Sequence, residues 1–141
     1  MAHVAHPGIQ REAYISVDVE TSGPNPGSYD LLSIGACRVD DLDSTFYVEL
    51  QPVTGNAIQG ALAITGLSME TLAESGMPPE RAMARFEAWL HEAVSSEERP
   101  IFVALNAAFD WMFVSDYFHR FLRRNPFGHS ALDIKAFYMG L

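Results

Sequence analysis

The run Tyr14-Ile-Ser-Val-Asp18-Val-Glu20-Thr-Ser-Gly23 alternates apolar and polar side chains and then breaks into turn-forming residues. A period of two marks a strand with one covered face. Ile15, Val17 and Val19 line one side, and Ser16, Asp18 and Glu20 line the other. Two carboxylates therefore stand side by side at the end of the strand. Like charges that close raise each other's pKa unless a cation neutralises them. Hard oxygen donors on a rigid strand suit Mg²⁺ or Mn²⁺, so the pattern is one for holding metal.

A chain of 141 residues, 48% of them hydrophobic, can bury one real core, and one domain is expected. Residues 1–12 read as a loose lead-in and 13–141 as the domain. Asp plus Glu number 18 against 9 Lys plus Arg, for a net charge of −9. If the ligand is a nucleic acid, net charge cannot attract it, and the grip must be local, through metal ions and a few arginines. The single cysteine, Cys37, excludes an internal disulfide, points to a reducing compartment and reads as core packing. The N-terminus has neither a basic nor an apolar leader region, and no apolar run approaches the roughly 20 residues that span a bilayer. A soluble cytoplasmic protein with no membrane partner is expected.

Turn residues crowd Thr21–Ser28. Leu31–Val39 reads as a second strand and Thr45–Gln51 as a third, which makes an antiparallel meander with the first. Asp40, Asp41 and Asp43 read as a solvated turn. After Pro52 the pattern turns helical. A short helix covers Ser68–Leu72, after a turn at Gly66. A longer one opens at Pro78-Pro79 and carries Ala82, Phe86 and Trp89 or Leu90 at helical spacing to about Ser96. Pro100–Leu105 is continuously apolar, as in a strand covered on both faces. Ala107 to Arg124 is helical again, Asn125-Pro-Phe-Gly128 ends it, and Asp133 is placed to cap a last helix. The fold class is α/β, a mixed sheet flanked by helices.

A second constellation, Asn106-Ala-Ala-Phe109-Asp110, follows the buried strand and opens a helix. Open α/β sheets hold their ligands at the carboxyl ends of their strands. If the first strand lies beside this one, Asp110 completes a site begun by Asp18 and Glu20. Taken singly, each feature has a plainer reading. Asp18 and Glu20 form a solvated strand face, Asp110 stabilises a helix N-terminus, and Asn106 is a loop residue bonding its own backbone. Phe109, Trp111, Phe113, Tyr117, Phe118 and Phe121 crowd one helix and are mostly core. Arg120, Arg123 and Arg124 lie where cations complement the helix dipole, with phosphate contact as the minority alternative.

Together, Ile15-Ser-Val-Asp18-Val-Glu20-Thr21-Ser-Gly23, then Leu31-Leu-Ser-Ile-Gly-Ala36, then Asn106-Ala-Ala-Phe109-Asp110 resemble the first two motifs of the DEDD 3′→5′ exonucleases. This is the ribonuclease T and polymerase-proofreading (DEDDh) family, which has a ribonuclease H-like fold. The resemblance runs from about residue 13 to 138. It implies that Asp18, Glu20 and Asp110 help to hold two divalent cations, Mg²⁺ or Mn²⁺, against the terminal phosphodiester of a nucleic acid 3′ end, releasing nucleoside 5′-monophosphates. It also implies that Thr21, Gly23, Asn106 and Phe109 line the pocket for the last nucleotide. Ile64-Thr-Gly-Leu67 is similar to a segment whose apolar side chain, assigned to Leu67, packs on the terminal base. Such stacking tolerates any base. The implied partner is single-stranded or 3′-ended nucleic acid, with a homodimer and a polymerase partner as further expectations.

The family's third motif, a His followed five residues later by a fourth Asp, does not occur, and the expectation is a sequence truncated at its C-terminus. His119 falls nine positions after Asp110, on nearly the opposite helix face at about 100° per residue. His91 reads as solvent-facing, His129 lies in a turn, and His3 and His6 lie in the lead-in. Asp133 reads as a cap and not as the fourth ligand. The alternative to an exonuclease is a non-catalytic module of the same fold that binds nucleic acid or protein.

Overall fold

A computed structural model describes residues 10–141. Strands β1 (Arg11–Thr21), β2 (Leu31–Arg38) and β3 (Asp41–Glu49) come first. Helices α1 (Gln59–Thr65), α2 (Met69–Ser75) and α3 (Pro79–Ala93) follow, then β4 (Glu98–Ala104), α4 (Ala107–Leu122), β5 (Ala131–Asp133) and α5 (Ile134–Met139). The sheet order is β3-β2-β1-β4-β5. The first three strands form the antiparallel meander expected from the sequence, and β4 runs parallel to β1. The α/β class and the mixed sheet are as anticipated.

The period-two pattern of β1 decides which way the sheet faces. Ala13, Ile15, Val17 and Val19 are buried, and with Ile34, Ala36 and Phe102 they meet α3 and α4. On α3, Ala82, Met83, Phe86 and Leu90 recur at the helical period and are all buried. Phe86 stacks on Phe46 at 5.0 Å and on Phe118 at 5.5 Å between ring centroids. Deleting so central a ring costs about 3–5 kcal/mol. The opposite face of β1, with Ser16, Asp18 and Glu20, is left more open.

Helix α4 fixes the geometry of the sheet's business end. Phe113, Val114, Tyr117 and Phe118 bury one side of it, and the Leu31 N–H donates to the Tyr117 hydroxyl at 3.0 Å. Burial pushes that phenol up to about 12, so it stays protonated at neutral pH. The residues that flank the helix, Asn106 before it and Arg123 after it, are both left-handed, with φ of 59° and 62°. Asp133 caps α5 as expected, accepting the Lys135 N–H, and its Oδ1 also accepts the Asn106 N–H.

Several sequence expectations are corrected. Asp41 and Asp43 belong to β3, and only the short turn at Val39-Asp40 precedes it. As an edge strand with an exposed outer half, β3 shows no burial pattern there. Cys37 is half-buried, not a core residue: it pairs opposite Ser16 on the polar face, while Ala36 points into the core. Arg11 and Glu12, assigned to the lead-in, form the first two rungs of β1 with β4. Residues 1–9, including His3 and His6, lie outside the described residues. Helix α3 stops at Ala93, and Leu105 is exposed beyond the end of β4. Helix α1 was not anticipated, because it buries no residue and has no side-chain cap. Strand β5 was also missed, since its three residues exist as a strand only by pairing with Phe102–Ala104. No helix among the described residues is long and apolar enough to cross a membrane.

Candidate active site

Strand β1 carries its two acids to the point where sheet pairing changes. Its register with β2 slips between Glu20 and Thr21, and such irregularities re-aim side chains. Asp18 is exposed and Glu20 half-buried, while Thr21, Ser22 and Gly23 turn inward. Gly23 packs directly beneath a ring: a Cβ there would lie 2.1 Å from Tyr29 Cγ. Only glycine permits that approach.

Asp110 arrives from the other side. Because β4 is parallel to β1, both strands end on the same edge, and α4 starts immediately after β4. This brings Asp110, in the first turn of α4, against β1, where its Oδ1 accepts the Val19 N–H at 3.1 Å. It is 6% exposed. Burial pushes its carboxyl up to about 6, Asp18 and Glu20 add to the rise, and the Val19 hydrogen bond opposes it. Burial, with the nearby Asp18, raises Glu20 as well. The three carboxylates repel one another, and none is ion-paired among the described residues.

Unpaired hard oxygen donors fit a hard cation. Among the described residues no group of three or more His, Cys, Asp and Glu side chains forms a ready-made cage. Asp18, Glu20 and Asp110 therefore do not enclose a cation by themselves, and Mg²⁺ is the kind of ion that keeps several waters and takes oxygens from a substrate phosphate.

Two cavities flank Glu20. The larger, about 580 Å³, is mostly apolar and includes Thr21, Gly23, Ile58, Ile64 and Phe109 in its lining. The smaller, about 270 Å³, is lined by Asp18, Glu20, Ser33, Gly35, Tyr47, Thr65 and Leu67. Glu20 and Thr65 belong to both. Thr21, Gly23 and Phe109 therefore share one cavity and Leu67 shares the other with Asp18 and Glu20, while Asp110 lines neither. Asn106 lines neither; it is exposed at the head of α4. The Thr21 hydroxyl donates to the Gly23 carbonyl at 2.8 Å and so shapes the turn. His119 is exposed on the far side of α4 from buried Asp110, and His129 is exposed. Arg120 and Arg124 are engaged by Asp116 and Glu87.

Sequence reasoning did not single out Tyr47, Ser33 or Ile58 for the site, nor Asp30, which holds it together. Asp30 is fully buried, and its carboxylate accepts the N–H groups of Val53, Thr54 and Gly55 and the Thr54 hydroxyl. Beside it, the Ser22 hydroxyl accepts the Asp30 N–H and donates to the Asn56 carbonyl, and the Ile58 N–H donates to the Ser22 carbonyl. These bonds tie the loop after β1 to the segment leading into α1. The available signal for Asp30 was a charged residue directly before the apolar run of β2.

A mixed five-stranded sheet, in which β4 runs parallel to β1 beside an antiparallel meander, with helices behind it, defines a ribonuclease H-like scaffold. Solved structures agree on the fold. Product-bound exonuclease I superposes with a TM-score of 0.71 at 18% identity, covering 92% of this chain and 31% of that one. The Escherichia coli exonuclease I complex with single-stranded DNA and zinc gives 0.72, covering 93% and 30%. No protein-family model matches the chain. Among curated relatives, the 3′-5′ DNA exonuclease Cap18 of Escherichia coli is 47% identical over 131 residues, which is 93% of this chain and 70% of Cap18. Ribonuclease T of Shewanella sp. (strain ANA-3) is 32% identical over 138 residues, 90% of this chain and 62% of that protein. The chain belongs to the DEDD-type 3′→5′ exonuclease family. It spans somewhat less than two thirds of the ribonuclease T relatives and under a third of exonuclease I.

Proposed function

We propose that this chain carries the catalytic core of a metal-dependent exonuclease that removes nucleoside 5′-monophosphates from the 3′ end of single-stranded nucleic acid, with DNA as its first substrate. The observation that carries the reading is Asp110 held against β1 near Asp18 and Glu20, none of them with a basic partner among the described residues, while Glu20 lines both cavities and Asp18 the smaller. The choice of DNA draws support from Cap18, at 47% identity, whose name is that of a DNA exonuclease. A cytoplasmic location goes with it, in keeping with a single unpaired cysteine.

Asp18, Glu20 and Asp110 would hold the cations, Mg²⁺ or Mn²⁺. When bound, such ions supply charge neutralisation at the scissile phosphate and an activated water. The protein's share is positioning. Asp110 is locked by Val19, so one carboxylate has a set direction before substrate arrives. Phe109 and Ile64 offer apolar surface to a terminal base, and Gly23 lines the same cavity, with the room that its missing side chain leaves taken by the Tyr29 ring. Stacking of that kind reads no sequence, which suits an enzyme that must advance over any base. The reading needs neither a homodimer nor a polymerase partner.

The test uses the full-length protein and 5′-labelled single strands of DNA and of RNA, with EDTA, Mg²⁺ or Mn²⁺ present. Progressive shortening from the 3′ end that EDTA abolishes, faster on DNA, is the expected result. Retention of the strands with no change in length would make the protein a binding module instead.

A further inference from the structure

Register carries two rows of side chains across the open face of the sheet. Asp18 of β1 pairs with Gly35 of β2, which pairs with Tyr47 of β3; Glu20 pairs with Ser33, which pairs with Glu49. Residues opposite one another in a ladder share a face. Gly35 contributes no side chain to its row, and a Cβ added there would lie 4.0 Å from Tyr47 Cδ2. The Tyr47 ring thus lies along bare β2 backbone, on the same row as Asp18. It is 64% exposed, while its neighbour Val48 is buried in the core behind the sheet. The ring is nonetheless held: its hydroxyl donates to Glu49 Oε2 at 3.1 Å. An exposed aromatic pinned at its polar tip beside a carboxylate pair contributes little to the core and presents a fixed apolar face to the cavity it lines with Asp18 and Glu20.

The two cavities lie on either side of Glu20, so a chain with its scissile phosphate at the acids must divide between them. The larger has the volume and apolar lining for the terminal nucleoside. The smaller then receives the unit before it, with Tyr47 as one wall. We propose that Tyr47 is a specificity-determining residue whose ring supports the sugar or base of the nucleotide on the 5′ side of the scissile bond. This rests on the exonuclease reading above and adds to it a preference for a polymeric substrate over a single nucleotide ester.

The experiment compares the full-length wild type, Tyr47→Ala and Tyr47→Phe in steady-state kinetics on two substrates. One is a single-stranded DNA oligonucleotide. The other is thymidine 5′-(p-nitrophenyl phosphate), which has the terminal nucleoside but no nucleotide 5′ to the bond that breaks. Base–aromatic stacking predicts that Tyr47→Ala raises KM for the oligonucleotide about tenfold. Its kcat and its KM for the nitrophenyl ester should stay unchanged, and Tyr47→Phe, which keeps the ring but loses the bond to Glu49, should fall between wild type and Tyr47→Ala on the oligonucleotide and match wild type on the ester. An unaltered oligonucleotide KM in Tyr47→Ala, or an equal loss on both substrates, overturns the role. So does a Tyr47→Phe variant as impaired as Tyr47→Ala. A wild type that cleaves neither substrate removes the exonuclease reading and this inference together, whereas wild-type turnover with an indifferent Tyr47→Ala removes only the inference.

Discussion

The backbone N–H of Val19 donates to Oδ1 of Asp110 at 3.1 Å, joining residues 91 positions apart. It occurs where β1 outruns its neighbour. The β1–β4 ladder pairs Ser16 with Val103 at its last rung, and β4 then leaves the sheet for α4. Val19 would present a buried, unpaired donor beyond that point, and such donors are costly. The carboxylate in the first turn of α4 fills the place that the missing strand leaves, and in doing so stands beside Asp18 and Glu20.

Substitutions at Asp110 should separate these two duties. Asp110→Asn keeps an oxygen for Val19 and removes the negative charge; the expected result is a folded protein whose turnover drops about 100-fold or more, since metal-borne charge stabilisation is worth several kcal/mol. Asp110→Ala leaves Val19 without an acceptor and should cost a further about 1–3 kcal/mol of stability. Thermal melts and steady-state rates of the two variants read both effects, and undiminished turnover in Asp110→Asn would remove Asp110 from the chemistry.

Cation binding should be visible without any substrate. A ligand that binds the folded state alone stabilises it by about 2.7 kcal/mol at one hundred times its Kd. Titrating Mn²⁺ or Mg²⁺ should therefore raise the Tm of the wild type and leave Asp18→Ala almost unmoved. Asp18→Ala should also abolish metal-dependent turnover with its fold intact. Equal Tm shifts in both proteins would place the cation elsewhere.

Asp30 predicts a failure of architecture, not of chemistry. Asp30→Ala strands the N–H groups of Val53, Thr54 and Gly55. Val53 and Gly55 are exposed and Thr54 half-buried, so water can replace part of what is lost, and the loss should be about 1–3 kcal/mol in all. Limited proteolysis should cut first within residues 52–58, the segment that leads into α1. A variant as resistant as the wild type would show that the loop holds itself.

Acid stability should depend on Glu98. Side-chain hydrogen bonds from Arg38 hold its carboxyl down to about 2, against an ordinary value of 4.5. A folded-state pKa below the unfolded one gives stability that is present above about 4.5 and is lost as pH falls through about 2. Wild-type Tm should therefore fall more steeply than that of Glu98→Gln between those limits. Parallel melting curves would mean that the Arg38–Glu98 pair contributes nothing to folding.

Much of this molecule is readable locally. Ile15, Val17 and Val19 against Ser16, Asp18 and Glu20 specify a strand and its two faces, since period two is a property of the backbone alone. Ala82, Phe86 and Leu90 specify a helix and its buried side in the same way, and turn residues mark where each element stops. Helix α1 escaped because it buries nothing, and β5 because three residues, none of them buried, carry no pattern.

Asp18 and Glu20 are neighbours by covalent spacing, so their pairing, and with it the expectation of a cation, follows from the chain itself. Their company is another matter. That Asp110 closes on Val19, that Tyr47 shares a row with Asp18 and that Asp30 ties the β1 loop to the approach to α1 depend on which strands pair and in what register. Each joins segments distant in sequence, and only the burial of one common core brings them together.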